Sequence, residues 1–263
     1  MAETNNIAYK TKVPFGILGE IFGRIWALWM LIAFVSTMLA FVIFYIPCLF
    51  LKGRAYGKWH IIVSKTWTIL FSYLVGCPVI VKGKENVQKG TNYIIVCNHN
   101  SLVDVPLNTG VYPNINKTIA KSDFASVPIF GWVYRSGSVL VDRKNPNSRK
   151  ESYNAMKKVL ADGYDMIVFP EGTRNKTNDP LIPFLDGAFL LATETKHPVL
   201  PMLTFNTRKI LPLDKTFFAW PHIVKVRFLP PVDSNNIKTR DLKAKVFKIM
   251  WDEYEKNSPK TEV

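Results

Sequence analysis

The feature that most constrains this chain is an uncharged run of 27 residues at positions 25–51. As an α-helix, a segment of this length is about 40 Å long, which exceeds the ~30 Å hydrocarbon core of a bilayer. Trp26, Trp29 and Tyr45 lie near its ends, where amphipathic rings favour the headgroup region. A cleaved signal peptide fits less well, because the run is too long, begins too late and lacks a small-residue cleavage site. The run therefore predicts a helix that embeds in a membrane.

A second apolar segment, residues 59–81, contains a histidine and a lysine and is therefore less uniform. Its apolar residues recur at helical spacing, which predicts an amphipathic helix that lies in the interface or folds back on the first. Between the two segments, Lys52, Arg54 and Lys58 either contact anionic headgroups or lie in a solvated loop. Basic residues flank the first segment on both sides, so a single span and a hairpin dipping into one leaflet both remain open.

The charge balance is strongly basic, with 34 Lys and Arg against 20 Asp and Glu and a formal net charge of +14. Such a balance indicates an anionic partner: nucleic acid, a phospholipid surface or a phosphorylated substrate. No nucleic-acid recognition motif accompanies it, so we predict an anionic membrane surface and no nucleic acid. Cys48, Cys77 and Cys97 lie in apolar runs and cannot all pair, which favours reduced thiols and a cytoplasmic location for the soluble part.

From residue 82 onward the pattern is that of an α/β domain, because short apolar runs typical of strands alternate with helical patterns. Strands are predicted at residues 93–97, 117–120, 138–141, 166–169, 199–205 and 225–228. Helices are predicted at residues 148–162, at 187–195 and near the C-terminus, with Thr239 as a candidate N-cap. We therefore expect membrane-associated helices over residues 1–81 and an α/β domain over residues 82–263, with helices packed around a largely central sheet.

A polar cluster, residues 98–104, directly follows the predicted strand at 93–97. Open α/β sheets place ligands at such carboxyl ends of strands. His99 is suited to act as a base near neutral pH, and Asp104 can accept its second ring N–H and stabilise the imidazolium. On a straight helix these side chains point about 140° apart, so they meet only if His99 lies on the turn and Asp104 in the next helix's first turn. Ser101 and Asp104 also match a capping box, which is compatible with this pairing.

A second cluster, Phe-Pro-Glu-Gly-Thr-Arg at residues 169–174, also follows an apolar strand. Gly172 lets the backbone approach a ligand closely, and the planar guanidinium of Arg174 suits a phosphate. Glu171 is expected either to hold Arg174 or to accept a hydrogen bond from a substrate hydroxyl. The alternative is a tight turn with a surface ion pair.

Two further basic residues, Lys121 and Arg143, each follow a predicted strand. Both can join Arg174 around a phosphate. The alternative for each is an exposed ion.

A Cys–His nucleophile is a further alternative, because Cys97 lies two residues before His99 and therefore on the same face of an extended strand. The other histidines are scattered at spacings that do not resemble a zinc site, so no metal is predicted.

The order of these pieces resembles one known family. NHNSLVD, KSDFASVPIFGW, GSVLVDR, FPEGTRN and HPVLPM closely resemble, in this order, the motifs of the glycerophospholipid acyltransferases, in particular those that acylate lysophosphatidic acid. The likeness covers roughly residues 82–230. It implies an α/β fold with a mixed sheet, docked on the membrane by N-terminal helices, and no bound cofactor.

The resemblance also implies roles for particular residues. His99 and Asp104 would form the catalytic dyad, and Arg174 would contact the acceptor phosphate, with Lys121 and Arg143 in support. The acceptor site would comprise Glu171, Gly172, Thr173 and Arg174. The implied reaction moves an acyl group from acyl-CoA or acyl carrier protein to the free hydroxyl of 1-acylglycerol-3-phosphate, which yields phosphatidic acid.

The sequence departs from the family pattern at one place. The family usually carries one or two basic residues before the Gly-Ala pair that follows FPEGTR, whereas Leu185 and Asp186 precede Gly187 here. Another lysophospholipid or an aminoacyl lysolipid therefore remains open as the acceptor. A different class of function, non-catalytic binding to a membrane surface, fits the charge and the apolar segments but leaves the ordered motifs unexplained.

Overall fold

A mixed sheet forms the centre of the fold. The computed structural model describes residues 8–142 and 144–257. The strands within them are β1 (Val79–Lys82), β2 (Ile94–Cys97), β3 (Asn116–Lys121), β4 (Ser138–Val141), β5 (Asp165–Val168), β6 (Val199–Phe205) and β7 (Val224–Phe228). Their order is β1-β7-β6-β2-β5-β3-β4, with β6 and β7 antiparallel and the other neighbours parallel. The predicted α/β class with a mixed sheet is confirmed.

Helices flank the sheet on both faces. They are α1 (Gly16–Val42), α2 (Gly53–Leu74), α3 (Asp104–Val111), α4 (Phe130–Ser136), α5 (Pro146–Ala161), α6 (Gly187–Thr195), α7 (Thr207–Ile210) and α8 (Thr239–Asn257). Short 3-10 segments cover Ile43–Leu49, Lys84–Asn86 and Ser122–Ser126. The helices predicted at 148–162 and 187–195 correspond to α5 and α6, and α8 begins at Thr239.

The sheet separates two cores. In β2, Ile94 and Val96 pack with residues of α5, α6 and α8, whereas Ile95 and Cys97 pack with residues of α1 and α3. The alternation follows from the strand itself, because successive side chains point to opposite faces. β2 and its neighbours β5 and β6 are buried on both faces, which explains why their sequences are nearly continuous apolar runs.

Helix α1 has an inner face of small residues and an outer face that is apolar and exposed. Gly23 and Ala27 lie on the inner face, and a Cβ on Gly23 would come within 2.1 Å of the Phe218 ring. On the outer face Ile25, Leu28 and Ile32 are exposed. Together α1 and its 3-10 extension, Gly16–Leu49, form the one helix among the described residues that is long and apolar enough to cross a membrane.

The second apolar segment ends its helix earlier than predicted. α2 folds back on α1 and ends at Leu74, because Gly76 has a positive φ of 64° and Pro78 cannot continue the helix. Strand β1 then begins at Val79 and pairs with Val224 of β7. The prediction of one helix through residue 81 is therefore wrong at its end, and the sheet begins upstream of residue 82.

Candidate active site

The turn after β2 brings His99 and Asp104 together. His99 follows the strand by two residues, and Asp104 is the first residue of α3. Nδ1 of His99 lies 2.9 Å from Oδ2 of Asp104. The chain reverses between them, so the five-residue spacing that separates two side chains on a straight helix joins them here. This is the geometry that the spacing requires.

Asp104 fixes which nitrogen of His99 carries a proton. Oδ2 of Asp104 also accepts the backbone N–H groups of Asn100 and Ser101, at 2.6 and 2.7 Å. A carboxylate oxygen with these bonds is an acceptor, so Nδ1 of His99 is the donor and neutral His99 has its lone pair on Nε2. Asp104 is only 1% exposed, whereas the His99 side chain is 13% exposed. The ring packs on Phe169, with centroids 4.6 Å apart, which limits its rotation.

The capping box forms one of its two expected hydrogen bonds. The Asp104 carboxylate reaches back to the backbone N–H of Ser101, as in a box. The Ser101 hydroxyl instead donates to the carbonyl of Leu211, 3.1 Å away. Ser101 therefore ties the turn to the loop after α7 and does not cap α3.

The segment after β5 clamps the backbone of His99 from both sides. Oε1 of Glu171 accepts the His99 N–H at 2.8 Å, and the Asn175 N–H donates to the His99 carbonyl at 2.7 Å. Oε2 of Glu171 accepts the N–H of Ile182 at 3.3 Å. Burial raises the pKa of Glu171 to about 8, and this residue is 4% exposed. Glu171 therefore holds backbone rather than Arg174, and the surface-ion-pair alternative is wrong.

Gly172 is required by the conformation of this loop. Its φ is +69°, in the left-handed region that favours glycine, and a Cβ there would lie 2.6 Å from Cδ1 of Leu185. Thr173 is exposed.

Arg174 lines a cavity of about 1030 Å³ that extends between the helices. Most of its wall is apolar, with Phe34 of α1 and Phe71 of α2 among the lining residues. Val103 and Val105, on either side of Asp104, also line it. The cavity thus combines a cation with a large apolar volume beside the His99 turn, an arrangement that suits an amphipathic ligand with an anionic headgroup.

Comparisons with known proteins show the family of the chain. Residues 78–204 match the family model described as Acyltransferase. The chain is 30% identical to a 1-acyl-sn-glycerol-3-phosphate acyltransferase from Limnanthes alba, over 79% of this chain and 70% of that protein. The chain belongs to the glycerophospholipid acyltransferase family.

Other relatives of this chain carry the same name. The enzymes from Cocos nucifera and Saccharomyces cerevisiae are 31% and 30% identical to it, over 64% and 70% of this chain. The chain spans only 54% and 62% of these two relatives. The crystal structure of the 1-acyl-sn-glycerophosphate acyltransferase PlsC from Thermotoga maritima shares the fold, with a TM-score of 0.78, 24% identity and coverage of 93% of this chain and 99% of that one.

The other two predicted basic residues are Lys121 and Arg143. Lys121 ends β3 at the same edge of the sheet, but it is exposed and forms an ion pair with Asp123. Two strand spacings of about 4.8 Å separate β3 from β2, so Lys121 lies on the order of 10 Å from the His99 turn along the sheet. Arg143 lies outside the described residues.

The Cys–His alternative is wrong on burial. Cys97 is fully buried in the core shared with α1 and α3. Burial raises the pKa of the Cys97 thiol well above its usual value, so the nucleophilic thiolate is disfavoured. Among the described residues no group of three or more His, Cys, Asp or Glu side chains could hold a metal ion.

Sequence reasoning missed one residue of this region. Arg208 lies in α7, just after β6, and β6 runs parallel to β2, so its carboxyl end lies at the same sheet edge. The guanidinium bonds to Asn100 and to the loop that follows Arg174. The signal that the sequence offered was the position of Arg208 soon after a predicted strand, because no recognisable motif surrounds this residue.

Proposed function

We propose that this protein transfers an acyl group from a thioester to the free hydroxyl of 1-acylglycerol-3-phosphate and so forms phosphatidic acid. The observation that supports it best is the His99–Asp104 pair at the turn from β2 to α3, beside a cavity that Arg174 lines. Relatives that share the chain's family are named for this reaction.

The first step is a proton transfer. Asp104 keeps the Nδ1 proton in place, so Nε2 of His99 takes the proton from the acceptor hydroxyl as its oxygen attacks. The negative charge of Asp104 then stabilises the imidazolium that forms. Because both groups are largely shielded from water, this stabilisation is stronger than the same pair would provide in solution.

In the second step the acceptor oxygen replaces the thioester sulfur on the acyl carbon. The attacking oxygen forms a bond to the thioester carbonyl carbon and produces a tetrahedral oxyanion. When the oxyanion collapses, the carbon–sulfur bond breaks and the thiolate leaves. The proton on Nε2 passes to that thiolate, so the products are the acylated lipid and the free thiol of the carrier. No acyl-enzyme is needed, which agrees with the buried, protonated state of Cys97.

The acceptor phosphate is assigned to Arg174, with Lys121, at the end of β3, and Arg143 as supporting cations. A guanidinium presents a planar fork that matches two phosphate oxygens. A second candidate acceptor is a lysolipid with a different headgroup. It is favoured by Asp186, which follows Leu185 where the family usually has a cation and which accepts a 2.6 Å bond from Lys243.

The membrane surface is the second partner. The apolar outer face of α1 and the exposed apolar residues of α2 would embed in the bilayer, and the net charge of +14 would favour anionic lipids. The catalytic domain would then face the cytoplasm, in agreement with three free, buried cysteines. Both acyl-CoA and acyl carrier protein are candidate donors, and no bound cofactor is required.

An acceptor panel with both donors tests the function. Purified full-length protein in detergent or lipid vesicles is given acyl-CoA or acyl carrier protein with lysophosphatidic acid, lysophosphatidylcholine or an aminoacyl lysolipid. We expect phosphatidic acid to be the main product. Preferential acylation of another lysolipid would replace the acceptor, and binding to anionic vesicles without transfer from either donor would favour the non-catalytic alternative.

A further inference from the structure

Arg208 ties together the two loops that form the site. Its Nη1 donates to the carbonyl of Thr177 at 2.8 Å, and its Nη2 donates to the carbonyl of Asn175 at 3.0 Å. Nη2 also donates to Oδ1 of Asn100, 3.2 Å away, in the turn that carries His99. One guanidinium therefore bridges the loop after Arg174 and the turn that carries the base.

Residues 8–14, which we call the N-terminal strap, hold Arg208 from the other side. The Tyr9 ring lies under the guanidinium, 4.3 Å from its carbon to the ring centroid, within the range of a cation–π contact. The Tyr9 hydroxyl accepts the N–H of Leu213 at 3.1 Å. The Ala8 N–H donates to the carbonyl of Lys176 at 2.9 Å. The strap therefore crosses between the loop after Arg174 and the loop after α7.

A second pair of bonds fixes the strap at its middle. The backbone N–H and the hydroxyl of Thr11 donate to the two carboxylate oxygens of Asp214, at 2.7 and 2.6 Å. Asp214 lines the same cavity as Arg174. The strap is thus attached on both sides of the cationic end of the cavity.

The contacts of Arg208 suit support rather than ligand binding. Three of its five N–H donors are directed to protein oxygens, one face is covered by Tyr9, and Nε is buried. Arg174, by contrast, lines the cavity. Arg174 is separated by one peptide bond from Asn175, whose N–H and carbonyl are held by His99 and Arg208 respectively. Loosening that carbonyl would let Arg174 move relative to His99.

We propose that Arg208 and Tyr9 are positioning residues that hold the Arg174 loop against the His99 turn for an anionic headgroup. This inference rests on the proposed function, because it assumes that Arg174 meets the phosphate of a lysolipid. Its effect is on the acceptor, and the binding of the thioester donor is independent of it.

The test compares conservative and disruptive variants of full-length protein in detergent. Arg208→Lys keeps the charge but loses the planar fork, and Tyr9→Ala removes the ring. Tyr9→Phe keeps the ring over the guanidinium and loses only the hydroxyl. Lys209→Ala, at an exposed neighbouring position, is the matched control. For each we measure the Kd for lysophosphatidic acid without donor, the KM for each substrate, kcat and the thermal midpoint.

We expect the Kd and KM for lysophosphatidic acid to rise about tenfold in Arg208→Lys and Tyr9→Ala, because a displaced Arg174 loses about one charge-assisted hydrogen bond to the phosphate. The donor KM stays unchanged, and Tyr9→Phe and Lys209→Ala remain near wild type. An unchanged Kd in both disruptive variants overturns the inference. A lower thermal midpoint together with an equal rise in the KM of acceptor and donor also overturns it. If wild-type protein acylates a different lysolipid or none, the proposed function fails first, and the inference fails with it.

Discussion

Two buried aspartates lie at opposite edges of the sheet, and they differ in whether their hydrogen-bond partners are accessible. Asp104, at the carboxyl edge, is bonded to the imidazole of His99, whose side chain is 13% exposed. Asp165 begins β5 at the amino edge and accepts the Tyr112 hydroxyl at 2.6 Å and the Tyr93 N–H at 2.7 Å. Tyr112 and Tyr93 are fully buried. Burial and good hydrogen bonds are therefore common to both carboxyl groups, and access to the partner is what distinguishes the catalytic role proposed for Asp104 from a structural role.

The bonding of the two carboxyl groups differs as well. All three donors of Asp104 converge on Oδ2, and Oδ1 is buried without a partner among the described residues. Asp165 uses both oxygens, one for each tyrosine. An amide at position 104 can therefore keep every existing bond through its oxygen, whereas an amide at position 165 must turn its NH₂ towards a donor.

The largest effect expected from this comparison comes from exchanging each carboxylate for an amide. Asp104→Asn keeps the hydrogen bonds but removes the charge that stabilises the imidazolium, so kcat should fall about 10²-fold or more. Asp165→Asn should leave kcat per folded molecule unchanged and lower the free energy of unfolding by about 1–3 kcal/mol. Acyl transfer and chemical unfolding are measured on both variants. The two aspartates do not differ in role if Asp165→Asn also abolishes transfer, or if Asp104→Asn transfers normally.

A smaller effect is expected at the cationic end of the cavity. Arg174→Gln removes charge-assisted hydrogen bonds of about 1.5–3 kcal/mol, so the KM for lysophosphatidic acid should rise about 10–100-fold. The donor KM should not change, because the lost contact is to the acceptor phosphate. Arg240→Gln, at an exposed position of α8, serves as the matched control. An unchanged acceptor KM in Arg174→Gln would remove Arg174 from the phosphate site.

The smallest effect concerns pH and extends the comparison to Glu171. Burial raises the pKa of Glu171 to about 8 and that of Asp165 to about 6. The folded protein therefore keeps protons that the unfolded chain loses near about pH 4, and the stability they contribute is lost as the pH rises through those folded values. Glu171→Gln is neutral at every pH, whereas wild type loses about 1.4 kcal/mol per pH unit through Glu171 in this window. Between pH 6 and 8 the thermal midpoint of wild type should therefore fall further than that of the variant, by about 5–10 °C.

Asp165 is the internal reference for that measurement. Asp165 contributes the same pH dependence to both proteins, mainly below pH 6, so it cancels when the two curves are compared. The separation between the curves should widen from about pH 4.5, where unfolded Glu171 loses its proton, to about pH 8. Identical curves across pH 6 to 8 would show that Glu171 is ionised in the folded protein at neutral pH.

The sequence predicted the sheet well because the strands have a local signal. β2, β5 and β6 are short apolar runs buried on both faces, and β4 and β6 have the predicted bounds. β1 was missed because apolar residues continue from α2 through the break at Gly76, so composition does not mark the change from helix to strand. The His99–Asp104 contact was predictable because the five-residue spacing permits only one geometry.

The roles of Glu171 and Arg208 were not predictable in the same way. Glu171 bonds to the backbone of His99, which is 72 residues away in the chain. Arg208 lies 108 residues from its partner Asn100. Such contacts depend on which strands become neighbours in the sheet, and strand order has no local signature in one sequence. Motif patterns therefore indicate which residues matter, while topology decides what each one touches.

Whether His99 is the general base is decided by measuring acyl transfer by His99→Ala, with His222→Ala as a matched histidine control. Both variants are purified in full length, and their binding to anionic vesicles is confirmed before transfer to lysophosphatidic acid is measured. Loss of the general base should reduce kcat by about 10²–10⁴-fold in His99→Ala and leave His222→Ala unchanged. Normal transfer by membrane-bound His99→Ala would show that His99 is not the base.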